Sequence, residues 1–441
     1  MVKLRPWALL TPLLVLLIAL PLLRPIRMPG GASRDEILLL QTVESLSTRG
    51  GMAIDPAVWR GKPGTTLHKG RVVADRPPVY SVLLAAPAWI MLRAGLDWDE
   101  HAETMAFLLT IFGATLPVAV GGGVIYRMGR LFELSRPKRA VLALLVTFGG
   151  GWISYATVLN PHAPAAASLM CATACLLFVA AAKKSGSALP ICVAAGLFSS
   201  MACAISPWTM PLAIPLPLVL FAMQIPTRQK LIGFVLMTVG AAPIAWIHTA
   251  WSLDSFGSIV APGSVATLQE VVTSDPEISP VLRVGSLGAS LFNVTLGNHG
   301  MFTHFPIVIA GLVGLFIVLR KHWPMHAKML AAISFVGATT VVMIVAARRG
   351  SVGGWMFGVQ WFVVFLPLVC FWMGALMRRE LTKRALWTLV ATCGVSVVVS
   401  VAGALQPLPA VPYRSNSAVG AMQRWIGSEV PSEPMPLTMK R

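Results

Sequence analysis

KLRPWALLTPLLVLLIALPLLRPIRMPGGASRDEILLLQ, residues 3–41, is the stretch that decides the fold. Lys3 and Arg5 precede an uncharged apolar run from Trp7 to Leu23, and Arg24 and Arg27 close it. A run of roughly 20 apolar residues spans the hydrocarbon core of a bilayer. The charge pattern is also that of a secretory signal, but Arg24-Pro25-Ile26-Arg27 stands where a small-x-small cleavage site belongs, so the run is read as a retained first span. Beyond it comes Ser33-Arg34-Asp35-Glu36, then a segment that is apolar at 37, 38, 40 and 43 and polar at 41, 44 and 45. That spacing predicts an amphipathic helix over Ile37–Ser47, lying on the membrane surface.

The rest of the chain follows the same pattern. Of 441 residues 56% are hydrophobic and 12% charged, and the mean hydropathy is +0.74. Soluble domains carry about twice that share of charge, so a soluble protein is excluded. Ten further spans are expected at 105–126, 140–159, 163–182, 188–206, 211–223, 231–251, 305–319, 329–347, 361–377 and 386–405. The expected class is therefore an all-α integral membrane protein of about 11 transmembrane helices with its N-terminus inside. On that threading the inner turns hold 18 of the 35 Lys and Arg residues and only Glu133 and Glu380 among the acids, as the positive-inside rule requires. Topology thus accounts for the net charge of +18, and no nucleic-acid partner is implied. All six cysteines lie in apolar stretches, where they act as small hydrophobic residues rather than as a disulfide framework.

Tyr80–Leu92, at 13 residues, is too short to count as a span. Counting it would also place the basic run Arg127–Arg139 outside. It is read as a juxtamembrane helix within a long first outer loop, 24–103. That loop holds nine of the 17 acids and ten of the cations, and long loops in compact proteins are usually functional. A second outer loop over 252–304 and an outer tail over 406–441 complete the expected external face, while the transmembrane domain runs over 1–405.

Three constellations carry the candidate chemistry. Asp35 and Glu36 would stand just outside the bilayer, where a carboxylate can act as general base toward a hydroxyl; equally, two acids in a first turn can simply stabilise a helix start. Lys69, Arg71 and Arg76 lead into Pro77-Pro78-Val79-Tyr80, and such cations suit a phosphate or anchor the chain at the interface. Asn160-Pro161-His162 sits in the tight turn between two spans, where it can face a cavity or merely break the helix. His299, in Asn298-His299-Gly300, and Arg348–Trp355 are the other polar outer segments. Asp97, Asp99, Glu100 and His101 could take a divalent cation, although a solvated helix start explains them more cheaply, and no metal or other cofactor is assigned. Pro324 between His322 and His326 argues against a metal there. No Walker loop, dinucleotide fingerprint or HExxH is present.

Asp35-Glu36 after the first span, then Gly70-Arg71-Val72-Val73 and Arg76-Pro77-Pro78-Val79-Tyr80 before a juxtamembrane helix, resemble the GT-C superfamily of membrane glycosyltransferases, in its protein O-mannosyltransferase and aminoarabinose-transferase branch. The likeness extends more loosely to Leu159–His162, Gly297–Phe302 and Gly353–Gly358. It implies an inverting transfer of a sugar from a polyprenyl-phosphate donor to a hydroxyl, amine or phosphate on a lipid, glycan or protein acceptor. Asp35 would take the acceptor proton and Glu36 would orient a substrate. Arg76, helped by Lys69 and Arg71, would hold the donor phosphate, with Tyr80, Asn160, His162 and His299 around the acceptor cavity. The site would face outward from a bacterial inner membrane. The chain departs from the family pattern where Asn160 and His162 replace an acid often found in that turn, and where Gln360 stands near the usual place of an arginine.

Two other classes fit parts of the sequence. A transporter or flippase for a lipid or anionic solute would place ionisable residues at mid-membrane and show related halves; the spans hold almost none, His248 excepted, and no halves are apparent. A non-catalytic assembly factor would tolerate loss of Asp35.

Overall fold

The computed structural model describes residues 6–23, 34–61, 64–182, 185–262, 287–297, 300–347 and 357–405. Five of its helices are long and apolar enough to cross a membrane: Ala102–Phe132, His162–Ala181, Thr227–Phe256, Met325–Ala347 and Lys383–Leu405. Shorter apolar helices run over Pro6–Leu22, Pro78–Arg93, Ile191–Ile205, Pro207–Phe221, Ile307–Arg320 and Leu366–Met377. The chain is a helical integral membrane protein. The outer tail 406–441, His299 and most of Arg348–Gly358 lie outside the described residues.

The membrane helices approach one another where side chains are small. Ile191–Ile205 packs between His162–Ala181 and Thr227–Phe256. A Cβ on Gly196 would meet the Met237 carbonyl oxygen at 1.8 Å, and one on Gly240 would meet that of Val193 at 1.9 Å. Backbone contact of this kind replaces the hydrophobic drive that lipid cannot supply.

Not every expected span is a continuous helix. The segment over 140–159 is helical only to Gly149, and Gly151 then turns left-handed at φ 75°. Residues 151–160 are all buried, with no helix beyond the single 3-10 turn Trp152–Tyr155. Non-helical backbone at such a depth persists only when protein groups satisfy it. Here the Ala156 carbonyl accepts from the Thr115 hydroxyl at 2.7 Å, the Tyr155 and Val158 carbonyls accept from the Asn160 amide at 2.7 and 2.9 Å, and the Leu159 N–H donates to the Glu36 carboxylate at 3.2 Å.

The segment expected as the first outer loop departs from the all-α expectation. Ala53–Ile54 (β1), Thr65–His68 (β2) and Arg71–Ala74 (β3) form an antiparallel sheet in the order β1-β3-β2. The register His68↔Arg71 leaves Lys69 and Gly70 as a two-residue turn. Their φ values of 48° and 74° match the type I′ hairpin turn, in which glycine carries the second positive φ without strain. The β-branched residues Thr65, Thr66, Val72 and Val73 suit the pleated strands.

The amphipathic segment is helix α1, Arg34–Arg49, but its apolar stripe is turned into protein rather than membrane. Ile37 and Leu38 cluster with Ile54, Val72 and Ala74 of the sheet. Leu40 and Val43 cluster with Val79, Tyr80 and Leu84 on helix α2, Pro78–Arg93. Each such side chain contributes about 1.5–3 kcal/mol when fully buried. Sheet and α2 together therefore fix α1, and with it the two acids of its first turn.

Candidate active site

Asp35 and Arg76 meet although 41 residues separate them. The Arg76 guanidinium donates to Asp35 Oδ1 at 2.5 Å and its Nε lies 3.6 Å from Asp75 Oδ1. The side chains of the first pair remain 41% and 48% exposed, Asp35 and Arg76 respectively, so both are open to a ligand. Partial withdrawal from water opposes the charge on Arg76, but Asp35 and Asp75 outweigh it and hold its pKa above the ordinary arginine value. Arg76 reaches this position because β3 ends at Ala74 and Pro77-Pro78 start α2, the first proline fixing the chain direction and the second filling a helix position that needs no N–H.

Glu36 points the other way and is 8% exposed. Its Oε1 accepts the Leu159 N–H at 3.2 Å, which ties the start of α1 to the irregular segment of the membrane domain. Tyr80 is likewise buried and donates to the Gly113 carbonyl at 3.1 Å. Burial, reinforced by the Glu36 carboxylate, holds its phenol well above its ordinary pKa. A Cβ on Gly113 would lie 2.7 Å from the Tyr80 hydroxyl and 2.8 Å from Leu159 Cδ1, so this helix position has room only for glycine.

Asn160 is 2% exposed and all its polar capacity is used within its own turn. Its amide donates to the carbonyls of Tyr155 at 2.7 Å and Val158 at 2.9 Å. Its oxygen accepts from the N–H groups of His162 and Ala163 at 3.1 and 2.9 Å, capping helix His162–Ala181. The side chain thus shapes the site without facing it. His162, 7% exposed, sits close enough to feel the charge of Arg76, and its Nδ1 lies 3.0 Å from the Ser206 hydroxyl.

Asp35, Glu36, Arg76, Tyr80 and His162 therefore converge. Lys69 and Arg71 do not join them. They stand at the hairpin tip, a strand of four residues or about 13 Å from Arg76, where Arg71 Nη1 lies 4.0 Å from Asp254 Oδ2. Asp97, Glu100 and His101 bring their ligand atoms within 4.8 Å of one another, but Asp97 already accepts the Glu100 N–H at 2.6 Å. That hydrogen bond above all lowers its pKa, and the group is exposed. The sequence reading missed Ser206, the Leu159 N–H and Gly113. Nothing local marks them, because each acquires its part through a contact across the fold.

No protein-family model and no curated protein matches the sequence. Solved structures do. The crystal structure of ArnT from Cupriavidus metallidurans bound to undecaprenyl phosphate superposes with a TM-score of 0.59 at 15% identity, covering 95% of this chain and 68% of that one. The archaeal oligosaccharyltransferase AglB from Archaeoglobus fulgidus, in complex with an inhibitory peptide and a dolichol-phosphate, superposes at 0.55 and 12% identity. There the match covers 99% of this chain and 62% of the other. At such identities the likeness lies in the path of the chain. This chain has the fold of the GT-C membrane glycosyltransferases.

Proposed function

We propose that this protein is an inverting glycosyltransferase that moves a sugar from a polyprenyl-phosphate donor to a nucleophilic acceptor, at the outer face of the membrane. The observation that carries the reading is the contact between Asp35 and Arg76, a half-exposed base and a half-exposed phosphate-binding cation held at one point by a buried frame. The GT-C fold and the lipid phosphates bound to the structural neighbours named above support the donor class, and the basic turns at the far end of the helices support the outward orientation.

In the transfer an acceptor hydroxyl oxygen bonds to the anomeric carbon from the face opposite the phosphate. Its proton passes to an Asp35 oxygen, and the carbon–oxygen bond to phosphate breaks, with the electron pair leaving on the polyprenyl phosphate. Arg76 stabilises the charge that grows on that leaving oxygen, a contribution of the kind worth a few kcal/mol of barrier in a partly dry site. The resting ion pair gives the cycle an order. A donor phosphate competes for the guanidinium, and an Arg76 drawn onto phosphate releases Asp35 to act as base. Glu36, His162 and Asn160 hold the frame: Glu36 through the Leu159 amide, His162 through Ser206, and Asn160 through the helix cap. Lys69 and Arg71 stand apart from the transferred phosphate.

The test is transfer of labelled sugar from polyprenyl-phosphate donors in membranes containing the wild type or Asp35→Asn at equal expression. Removing a general base costs about 10²–10⁴ in rate, so transfer should fall by at least about 100-fold. Equal transfer by both proteins, or none by wild type from any such donor, would overturn the proposal.

A further inference from the structure

At the end of the helices away from Asp35 a groove lies between helix 136–149 and Lys383–Leu405. Its volume is about 680 Å³. Its walls are apolar, Val141, Leu145, Leu389, Val390 and Val398 among them, and Val141, Val390 and Val398 are 45–52% exposed. Two cations, Lys138 and Arg379, line it, with no acid among the described residues that do so.

These cations differ from their neighbours. Arg378, one position away, is neutralised by Glu133 at 2.5 Å and lies over the Trp323 ring at 5.3 Å. Lys138 Nζ has only the Met377 carbonyl, at 3.4 Å, and neither Lys138 nor Arg379 enters an ion pair among the described residues. Two unneutralised cations beside an apolar trough, at the end of the helices where the basic turns gather, complement a phosphate headgroup with an acyl chain. Basic pockets between membrane helices on the cytoplasmic side bind anionic lipid in this way.

We propose that this groove is a binding site for an anionic phospholipid, its acyl chain along Val141, Leu145 and Val390 and its phosphate on Lys138 and Arg379. The site is separate from the candidate active site and does not depend on the function assigned there. Gly394 offers a clean way to test it. It lines the groove, and a Cβ there would meet nothing within 4 Å, so Gly394→Leu fills the trough without disturbing the packing and favours the helix over glycine.

The measurement is native mass spectrometry of delipidated protein titrated with phosphatidylglycerol or phosphatidylcholine. Wild type should retain phosphatidylglycerol preferentially. Lys138→Ala with Arg379→Ala should weaken that retention by about tenfold or more, at roughly a fivefold loss per interfacial cation. Gly394→Leu should abolish it, while melting at the wild-type temperature; this variant decides the matter should the double variant misfold. Equal retention of the two lipids by wild type, or phosphatidylglycerol binding unchanged in Gly394→Leu, overturns the proposal. So does a groove that takes undecaprenyl phosphate and refuses phosphatidylglycerol.

Discussion

The molecule carries two ion pairs of equal length at opposite ends of its helices. Asp35–Arg76 and Glu133–Arg378 both close at 2.5 Å, and both are partly exposed, with side chains 41% and 48% exposed in the first and 71% and 45% in the second. Both join segments distant in sequence. The difference is in what lies behind them. Arg378 rests on the indole of Trp323. Asp35–Arg76 stands over Glu36, Tyr80 and His162, all less than 9% exposed, each held by a hydrogen bond to another element. Keeping such groups from water is costly unless they are satisfied. On the proposed reading, it is the buried polar frame beneath Asp35–Arg76, and not the exposed ion pair itself, that distinguishes a site.

That contrast can be broken most directly at the arginines. Arg76→Ala should lower sugar transfer by about 10²–10³, the usual cost of removing one charge-stabilising group from a reacting centre, whereas Arg378→Ala should leave the rate within about twofold of wild type, as surface pairs away from a site do. Initial rates at saturating donor in matched membranes read both. Comparable losses, or comparable tolerance, would remove the distinction between the pairs.

The frame can be tested apart from the chemistry. Glu36→Ala leaves the Leu159 N–H buried without its partner, which costs about 1–3 kcal/mol, and Glu36→Gln keeps an acceptor oxygen and should recover much of the loss. Melting of the purified protein in detergent measures this. If Glu36→Gln melts no higher than Glu36→Ala, the carboxylate has a charge-dependent part that the hydrogen bond does not explain. Gly113→Ala pushes a methyl into the Tyr80 hydroxyl and Leu159, an overpacking worth about 1–3 kcal/mol. Adding Tyr80→Phe removes the closer clash, so the double variant should be more stable than the sum of the single changes predicts. Strict additivity would show that the two residues do not share the contact.

Charge in an apolar chain is easy to read, which is why Asp35, Glu36 and Arg76 stand out in the sequence and the helices do too. Linear order misled where the chain doubles back. Lys69 and Arg71 are five to seven positions from Arg76, and only the Lys69-Gly70 turn reveals that a hairpin carries them away from it toward Asp254. The irregular segment after Gly149 was hidden for a different reason. Trp152, Ile153, Tyr155 and Val158 are as apolar as a span, and the groups that satisfy the backbone once the helix ends, the side chains of Thr115, Asn160 and Glu36, are brought there only by the folded chain. Asn160 was legible as a residue and not as a role: its spacing in the turn suits a cap or a cavity equally, and the four hydrogen bonds that decide for the cap run to its own neighbours.

The smallest effect lies at the other pair. Glu133→Gln removes the charge partner of Arg378 at a position that is 71% exposed, where solvent screening and the entropy of two long side chains leave about 0–1 kcal/mol. Trp323 keeps the guanidinium over its ring after the acid is gone, and such a contact contributes about 0.5–1 kcal/mol at exposed sites, so Arg378 remains anchored. The melting temperature should shift by a few degrees at most, and the shift should shrink further as salt shortens the Debye length from about 10 Å at 0.1 M to 3 Å at 1 M. A larger or salt-insensitive loss would mean that this pair, too, rests on buried polar structure. Exposure and hydrogen-bonded surroundings would then fail to separate a site from a surface contact in this protein.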